Sequence, residues 1–398
     1  MRRQLRTWSA PSVICGAIAV LLLSGLSAAQ WERPDVPDPS TTPLWHAAGE
    51  ARGSPTVDHD TVFFLSRQHE VLALDARSGH VRWRQRTGES GDTTFGSAVA
   101  ISGDVVVAGD YDLVAFDRRT GALRWRFEPR EGYGPGIYLG TSAGDLVFTG
   151  SPAGWVYAVD TRQGTLRWGT AVSRDGRTTM YSPATDGVVV AAAYTVFSAP
   201  NTGGVVLLEA ETGKERWKAA FPSPDDPSLS TNWAGGPVLV DDVVIVASGD
   251  GLIYAFDVGS GAVRWTLPRL RGDIRGIITT TNREFRALAR SGRVLIAGSV
   301  TGYIVGYDLD TREERWRYAG GHNGSAAFSL NADGRAAFVP YVSGFLVALD
   351  LASGREIWRA GDWRDGFLYP PAASGGRLFV GAARAGYFAF DARFPEVR

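Results

Sequence analysis

Ala73-Leu74-Asp75-Ala76-Arg77-Ser78-Gly79-His80-Val81-Arg82-Trp83 decides the fold, because the same phrase keeps returning along the chain. Its skeleton comes back as Ala115, Asp117, Gly121, Trp125 and as Ala158, Asp160, Gly164, Trp168. Further copies are Leu207, Glu209, Gly213, Trp217; Ala255, Asp257, Gly261, Trp265; Gly306, Asp308, Arg312, Trp316; and Ala348, Asp350, Gly354, Trp358. The acid-to-tryptophan spacing is eight residues in all seven copies, while the tryptophans themselves recur every 42 to 51 residues. A spacing so rigid predicts a tight hairpin. The acid accepts backbone N–H bonds in the turn, and the glycine supplies the positive φ of a type I turn plus bulge. Ahead of each hairpin lies another short apolar run, as at 105–108, 188–191, 243–247, 294–297 and 378–380. Each unit therefore supplies about four short strands, the content of a β-propeller blade.

The chain ends set the blade count. An eighth unit begins at Phe367, runs through Ala389 and Asp391, and stops at Arg398 without a tryptophan strand. Leu44-Trp45-His46 reads as that missing strand, with no blade before it. An open ring would leave bare sheet edges at its first and last blades, so an N-terminal strand completing the last blade closes it. The expected fold is all-β, one eight-bladed β-propeller over residues 44–394.

The phrase Ala-x-Asp-x-x-x-Gly-x-x-x-Trp resembles the tryptophan-docking motif of the pyrroloquinoline quinone (PQQ) repeat family. The resemblance covers nearly all of the chain beyond its first forty or so residues. It implies that each tryptophan packs between adjacent blades, where a large aromatic is well buried. It implies fold more than function, because the family includes quinoprotein dehydrogenases, sensor ectodomains and outer-membrane assembly scaffolds of the BamB type. A dehydrogenase needs a quinone held against a tryptophan, a calcium ion and an Asp base. Asn232-Trp233, His322-Asn323 and Asp362-Trp363 are fragments of such a site, yet they form no spaced constellation. His46, His59, His69 and His80 share no metal-ligand spacing and read as surface residues. The chain is most similar to the BamB-type scaffolds, which implies a protein partner in the cell envelope, a barrel-assembly component, and no cofactor. The alternative is a PQQ-dependent dehydrogenase or a ligand-sensing propeller.

Composition agrees with export and excludes a nucleic-acid partner. Lys+Arg 41 against Asp+Glu 42 gives a net charge of −1, with no basic footprint for a phosphate backbone. Arg2, Arg3 and Arg6 precede an apolar run at 13–26, and Ser27-Ala28-Ala29 offers small residues for cleavage, so residues 1–29 read as a secretory signal peptide. The one cysteine, Cys15, lies inside that segment without the Leu-small-small context of a lipid-attachment site. The mature chain would then have no disulfide and no thiol nucleophile. Residues 30–43, with Pro34, Pro37, Pro39 and Pro43, have the composition of a linker.

Because the hairpin spacing is fixed, all length variation falls between each tryptophan and the next acid. Three consecutive units are longer, and their extra residues lie at 197–204, 221–236 and 268–284. Connections of these kinds emerge on one face of a propeller, opposite the hairpins, and a rigid ring presenting variable loops is a recognition design. One loop is acidic, with Asp225 and Asp226, and carries Trp233; the next is basic, with Arg269, Arg271 and Arg275. Trp and Arg are frequent interface anchors, so these six residues are the candidate partner-binding set.

Overall fold

A computed structural model describes residues 41–88, 98–129, 138–197, 201–224, 231, 236–270, 285–299, 302–319, 331–341, 344–361 and 369–392. Among them every regular element is a strand, and the strands form eight sheets. Each sheet is an antiparallel blade in chain order from axis to rim. Blade one is Thr56–Asp58, Thr61–Leu65, Glu70–Asp75 and Val81–Arg86. Blades two to seven repeat that order, except that in blade four two short strands, Thr178–Met180 and Ala184–Thr185, share the inner position. The eighth is assembled from both ends of the chain: Ala372–Ser374, Arg377–Ala382 and Gly386–Asp391, with Trp45–Ala47 as its outer strand. Trp45 pairs with Ala389, His46 with Phe388 and Ala47 with Tyr387. Inner strands of successive blades adjoin, and Ala372–Ser374 adjoins Thr56–Asp58, so the ring is closed as the ends of the sequence require.

Both faces of a blade are covered by its neighbours, which explains why second strands such as Thr61–Leu65 are buried at every position rather than alternately. Phe63 and Leu65 pack with Val106 and Ala108 of blade two, whereas Val62 and Phe64 pack with Phe379 and Tyr387 of blade eight. The core is accordingly distributed as buried clusters, one at each blade boundary.

The repeated phrase builds those boundaries. Asp75 Oδ1 accepts the backbone N–H groups of Arg77 and Ser78 at 3.0 and 2.9 Å, and Gly79 takes a φ of 73°. The register slips by one residue between Ala73 and Leu74, the bulge that the turn requires. Each tryptophan lies on the hairpin of the next blade. Trp45 Nε1 donates to the Ala76 carbonyl at 3.1 Å, Trp83 to Arg118 at 3.1 Å, and Trp125 to Thr161 at 2.8 Å. Trp168, Trp217 and Trp316 repeat the bond to Ala210, Val258 and Leu351. The indole also lies flat on the following hairpin's glycine, where a Cβ at Gly164 would come within 2.5 Å of Trp125. Gly164→Ala is therefore expected to cost about 2 kcal/mol or more, because it combines a clash with a positive φ. Urea unfolding measures it. In the sixth copy Arg312 holds the glycine position at a φ of 64°, and its guanidinium lies 5.7 Å from the Trp265 ring centre.

Arginine directly before the tryptophan, in six of the seven hairpins, is a regularity the skeleton omits. In five of the six it reaches back to the turn acid: Arg82 to Asp75 at 2.7 Å, Arg124 to Asp117 at 2.5 Å, Arg167 to Asp160 at 3.2 Å, and likewise Arg264 to Asp257 and Arg315 to Asp308. Arg82 and the turn amides hold the Asp75 carboxyl far below the usual range, as Arg124 and Thr120 do for Asp117. The Thr311 amide and Arg315 pull Asp308 down to about 2. Carboxyls lowered in the folded state add stability that is complete above their ordinary value of 3.8 and is lost as pH falls below it. The melting temperature is expected to stay level from neutral pH to about 5 and to drop below about 4, which a calorimetric pH series checks.

Candidate partner-binding face

The turns joining second to third strands, and the connections between blades, emerge on the face opposite the Asp–Trp hairpins. Among the described strands, the two longest belong to blade four. Its strands Val189–Val196 and Thr202–Glu209 stay in register out to the Val196–Thr202 pair. Residues 202–204, expected as part of a loop, thus continue the sheet, because the added residues pair with one another instead of bulging. Thr178–Met180 pairs beside the extension at Tyr194–Val196, and Phe197 ends it with 46% exposure. Lys218 Nζ sits 5.0 Å from the Tyr194 ring centre and donates to the Val172 carbonyl at 2.8 Å. Burial pushes the Tyr194 hydroxyl up to about 12, so it remains a neutral donor.

Of the six candidate residues, Arg269 is described. It is half-buried, and its Nε donates to the Asp250 carbonyl at 2.5 Å, which ties the start of its loop to blade five. Asp250 is itself buried and accepts from the Tyr254 hydroxyl at 2.6 Å and the Leu252 amide at 3.0 Å. Asp225, Asp226, Trp233, Arg271 and Arg275 lie outside the described residues, as do Asn232, His322, Asn323, Asp362 and Trp363.

One cluster on this face was misread from the sequence. His69, expected at the surface, is only 7% exposed and lies at the boundary of blades one and two. Its Nδ1 is 2.6 Å from Asp110 Oδ2, and one Arg52 guanidinium nitrogen lies 2.9 Å from Nδ1 and 3.2 Å from Nε2. The Thr87 hydroxyl reaches Asp110 Oδ2 at 2.7 Å and the His69 carbonyl at 3.0 Å. Arg52, on the segment leading from the closing strand, also pairs with Asp110 at 3.4 Å. Two substitutions within the repeat create the cluster. His69 holds a φ of 58° where the other copies place Gly154, Gly251, Gly302 and Gly344, six residues before their own acids. Asp110 stands where Ser66, Ser151, Ser248 and Ser299 stand, five residues after the one paired with the acid. The signal was available as a break in the repeat, outside the Asp–Trp phrase. Chemically the cluster is a clasp joining the closing segment to two blades. Among the described residues no three His, Cys, Asp or Glu side chains converge.

A family profile described as outer membrane protein assembly factor BamB matches residues 31–186 and 177–339. The chain belongs to the BamB family of PQQ-repeat propellers. It is similar to the BamB of Burkholderia pseudomallei, 24% identical over 334 residues covering 79% of this chain and 80% of that protein. A BamB of Xanthomonas campestris pv. campestris is 26% identical over 191 residues, which cover 48% of this chain and 42% of that one. Among solved structures, BamB from Moraxella catarrhalis superposes with a TM-score of 0.62 at 19% identity, covering 88% of this chain and 99% of that chain. Quinohemoprotein alcohol dehydrogenase from Comamonas testosteroni gives 0.67 at 15% identity over 90% and 77%. At such identities the two structures share the fold with this chain.

Proposed function

We propose that this protein is an exported, non-enzymatic scaffold that binds a protein partner in outer-membrane protein assembly, a barrel-assembly component, through its variable-loop face. The observation that carries the reading is the family match over residues 31–339 to an outer membrane protein assembly factor. The asymmetry of the ring supports it: the Asp–Trp hairpins repeat on one face, and on the other the strands of blade four extend to Val196 and Thr202. Export rests on the signal-like segment at residues 1–29, and the question of cleavage or anchoring falls on those same residues. The test is a pull-down from envelope extract with the mature protein as bait, read by mass spectrometry. Recovery of a barrel-assembly component is expected, and its absence overturns the proposal.

The shared fold of the quinohemoprotein dehydrogenase gives a second reading its one support. The fragments that would serve that chemistry lie outside the described residues, and no catalytic step is derived from the rest. Purified protein supplied with the quinone and calcium, then assayed for dye reduction with alcohols and aldoses, is expected to match a heat-killed control. Clear turnover would establish the enzyme instead.

A further inference from the structure

Each blade ends at the rim in an outer strand whose far edge has no strand beside it among the described residues. Proteins guard such edges with charged side chains or proline. Here the residue after the docking tryptophan supplies the guard, as Arg84, Arg126, Lys218, Arg317 and Arg359 in five blades. In blade five Thr266 is followed by Pro268, and the outer strand of blade eight is three residues long with His46 at the position. Blade three departs from the rule. Its outer strand, Leu166–Ala171, runs past Trp168 as Gly169, Thr170 and Ala171, with neither charge nor proline.

The register shows which of these residues face outward. Val172 donates its N–H to the Gly154 carbonyl at 2.9 Å, on the inner side of the strand. In an antiparallel pair the N–H and C=O of one residue point the same way, and the direction alternates along the strand. Thr170, opposite Val156, therefore faces the blade, whereas Gly169 and Ala171 turn their N–H and C=O groups out from the rim. The neighbouring cations are engaged elsewhere. Arg167 pairs with Asp160 at 3.2 Å, Arg174 lies 5.3 Å from the Trp155 ring centre, and Lys218 of blade four donates to the Val172 carbonyl at 2.8 Å. A Cβ at Gly169 would come within 3.0 Å of the Tyr157 ring, so that ring reaches beneath the outer strand. Trp155, opposite Ala171, stacks on Tyr157 with ring centres 5.9 Å apart and stays partly exposed.

We infer that the rim of blade three takes up an extended segment of another polypeptide as a fifth strand. Main-chain bonds to Gly169 and Ala171 hold the segment, and its alternate aliphatic side chains lie toward the Trp155–Tyr157 stack. A second copy of this protein is a poorer occupant. Joined edge to edge about a two-fold axis, it would set Arg124 and Arg126 of blade two against their own counterparts. The rim is separate from the variable-loop face, so the inference goes beyond the proposed function and stands or falls apart from it.

Fluorescence anisotropy of a labelled peptide of alternating threonine and valine, capped by glutamate at each end, tests the edge on the purified protein. Saturable binding is expected. Ala171→Lys places a charge where Arg86 stands in blade one, three residues after the tryptophan, so the repeat tolerates it. It is expected to weaken binding at least about tenfold with the melting temperature unchanged. Ala220→Lys, the same change on blade four, is expected to leave binding unaltered. The peptide N-methylated along its backbone lacks the donors of an added strand and is expected not to bind. No saturable binding, equal affinity for Ala171→Lys, an equal loss with Ala220→Lys, or retained binding of the methylated peptide would each overturn the inference. So would a peptide-free dimer in sedimentation velocity that Ala171→Lys dissociates, since a second copy would then occupy the edge.

Discussion

Deleting residues 41–48 is expected to abolish cooperative folding near physiological temperature or to lower the melting temperature drastically. The segment supplies the outer strand of blade eight, so that sheet holds strands from both ends of the described chain. Trp45 alone carries much of that role. Its ring lies 6.1 Å from Phe379, it covers Gly79 of blade one, and its Nε1 donates to Ala76. Trp45→Ala leaves a cavity across the closing boundary and is expected to cost about 3–5 kcal/mol. Calorimetry of both variants measures the effect. An unchanged melting temperature for the deletion would mean that the ring is held by its inner strands and needs no closure at the rim.

Asp110→Ala carries the second large expected effect. Asp110 is 4% exposed and receives the His69 imidazole, the Arg52 guanidinium and the Thr87 hydroxyl. Removing one partner of a buried charge pair typically costs about 3–5 kcal/mol, because the other charge stays buried. The triple change Arg52→Met, His69→Gly, Asp110→Ser is expected to recover a large part of that loss. It removes the charges together, returns glycine to the positive φ at position 69 and restores the serine that four other blades carry. Urea denaturation of the single and triple variants compares them directly. If the triple variant is less stable than Asp110→Ala, the clasp owes its strength to contacts other than the mutual compensation of its charges.

The parts of the fold that were legible in the sequence are those set by short-range chemistry. The eight-residue step from acid to tryptophan encodes a turn, a bulge and a docking surface, and each of those is local or lies one blade away. Ring closure was legible because Trp45 and Asp391 are each half of a phrase whose whole form is repeated seven times. His69 was not, since its burial depends on Asp110, a full blade later, and on Arg52, delivered from the closing segment. The 197–204 stretch was read as loop because the fixed hairpin spacing left the unit's extra length there, whereas pairing of Val196 with Thr202 carries the strands past the usual end of a blade. Arg269 was read as a recognition arginine from residue type and charge, and its bond to the Asp250 carbonyl was not legible because that partner lies nineteen residues back in the chain.

The central claim, a scaffold that grips a barrel-assembly partner by its variable-loop face, is tested most directly by titration calorimetry with the purified periplasmic part of that partner from the same cell. Saturable binding is expected for the wild-type chain. Trp233→Ala combined with Arg271→Glu is expected to weaken it at least about tenfold, on the usual scale of interface anchors, with the melting temperature unchanged. No heat of binding with the wild type, or equal affinity for the double variant, would contradict the account.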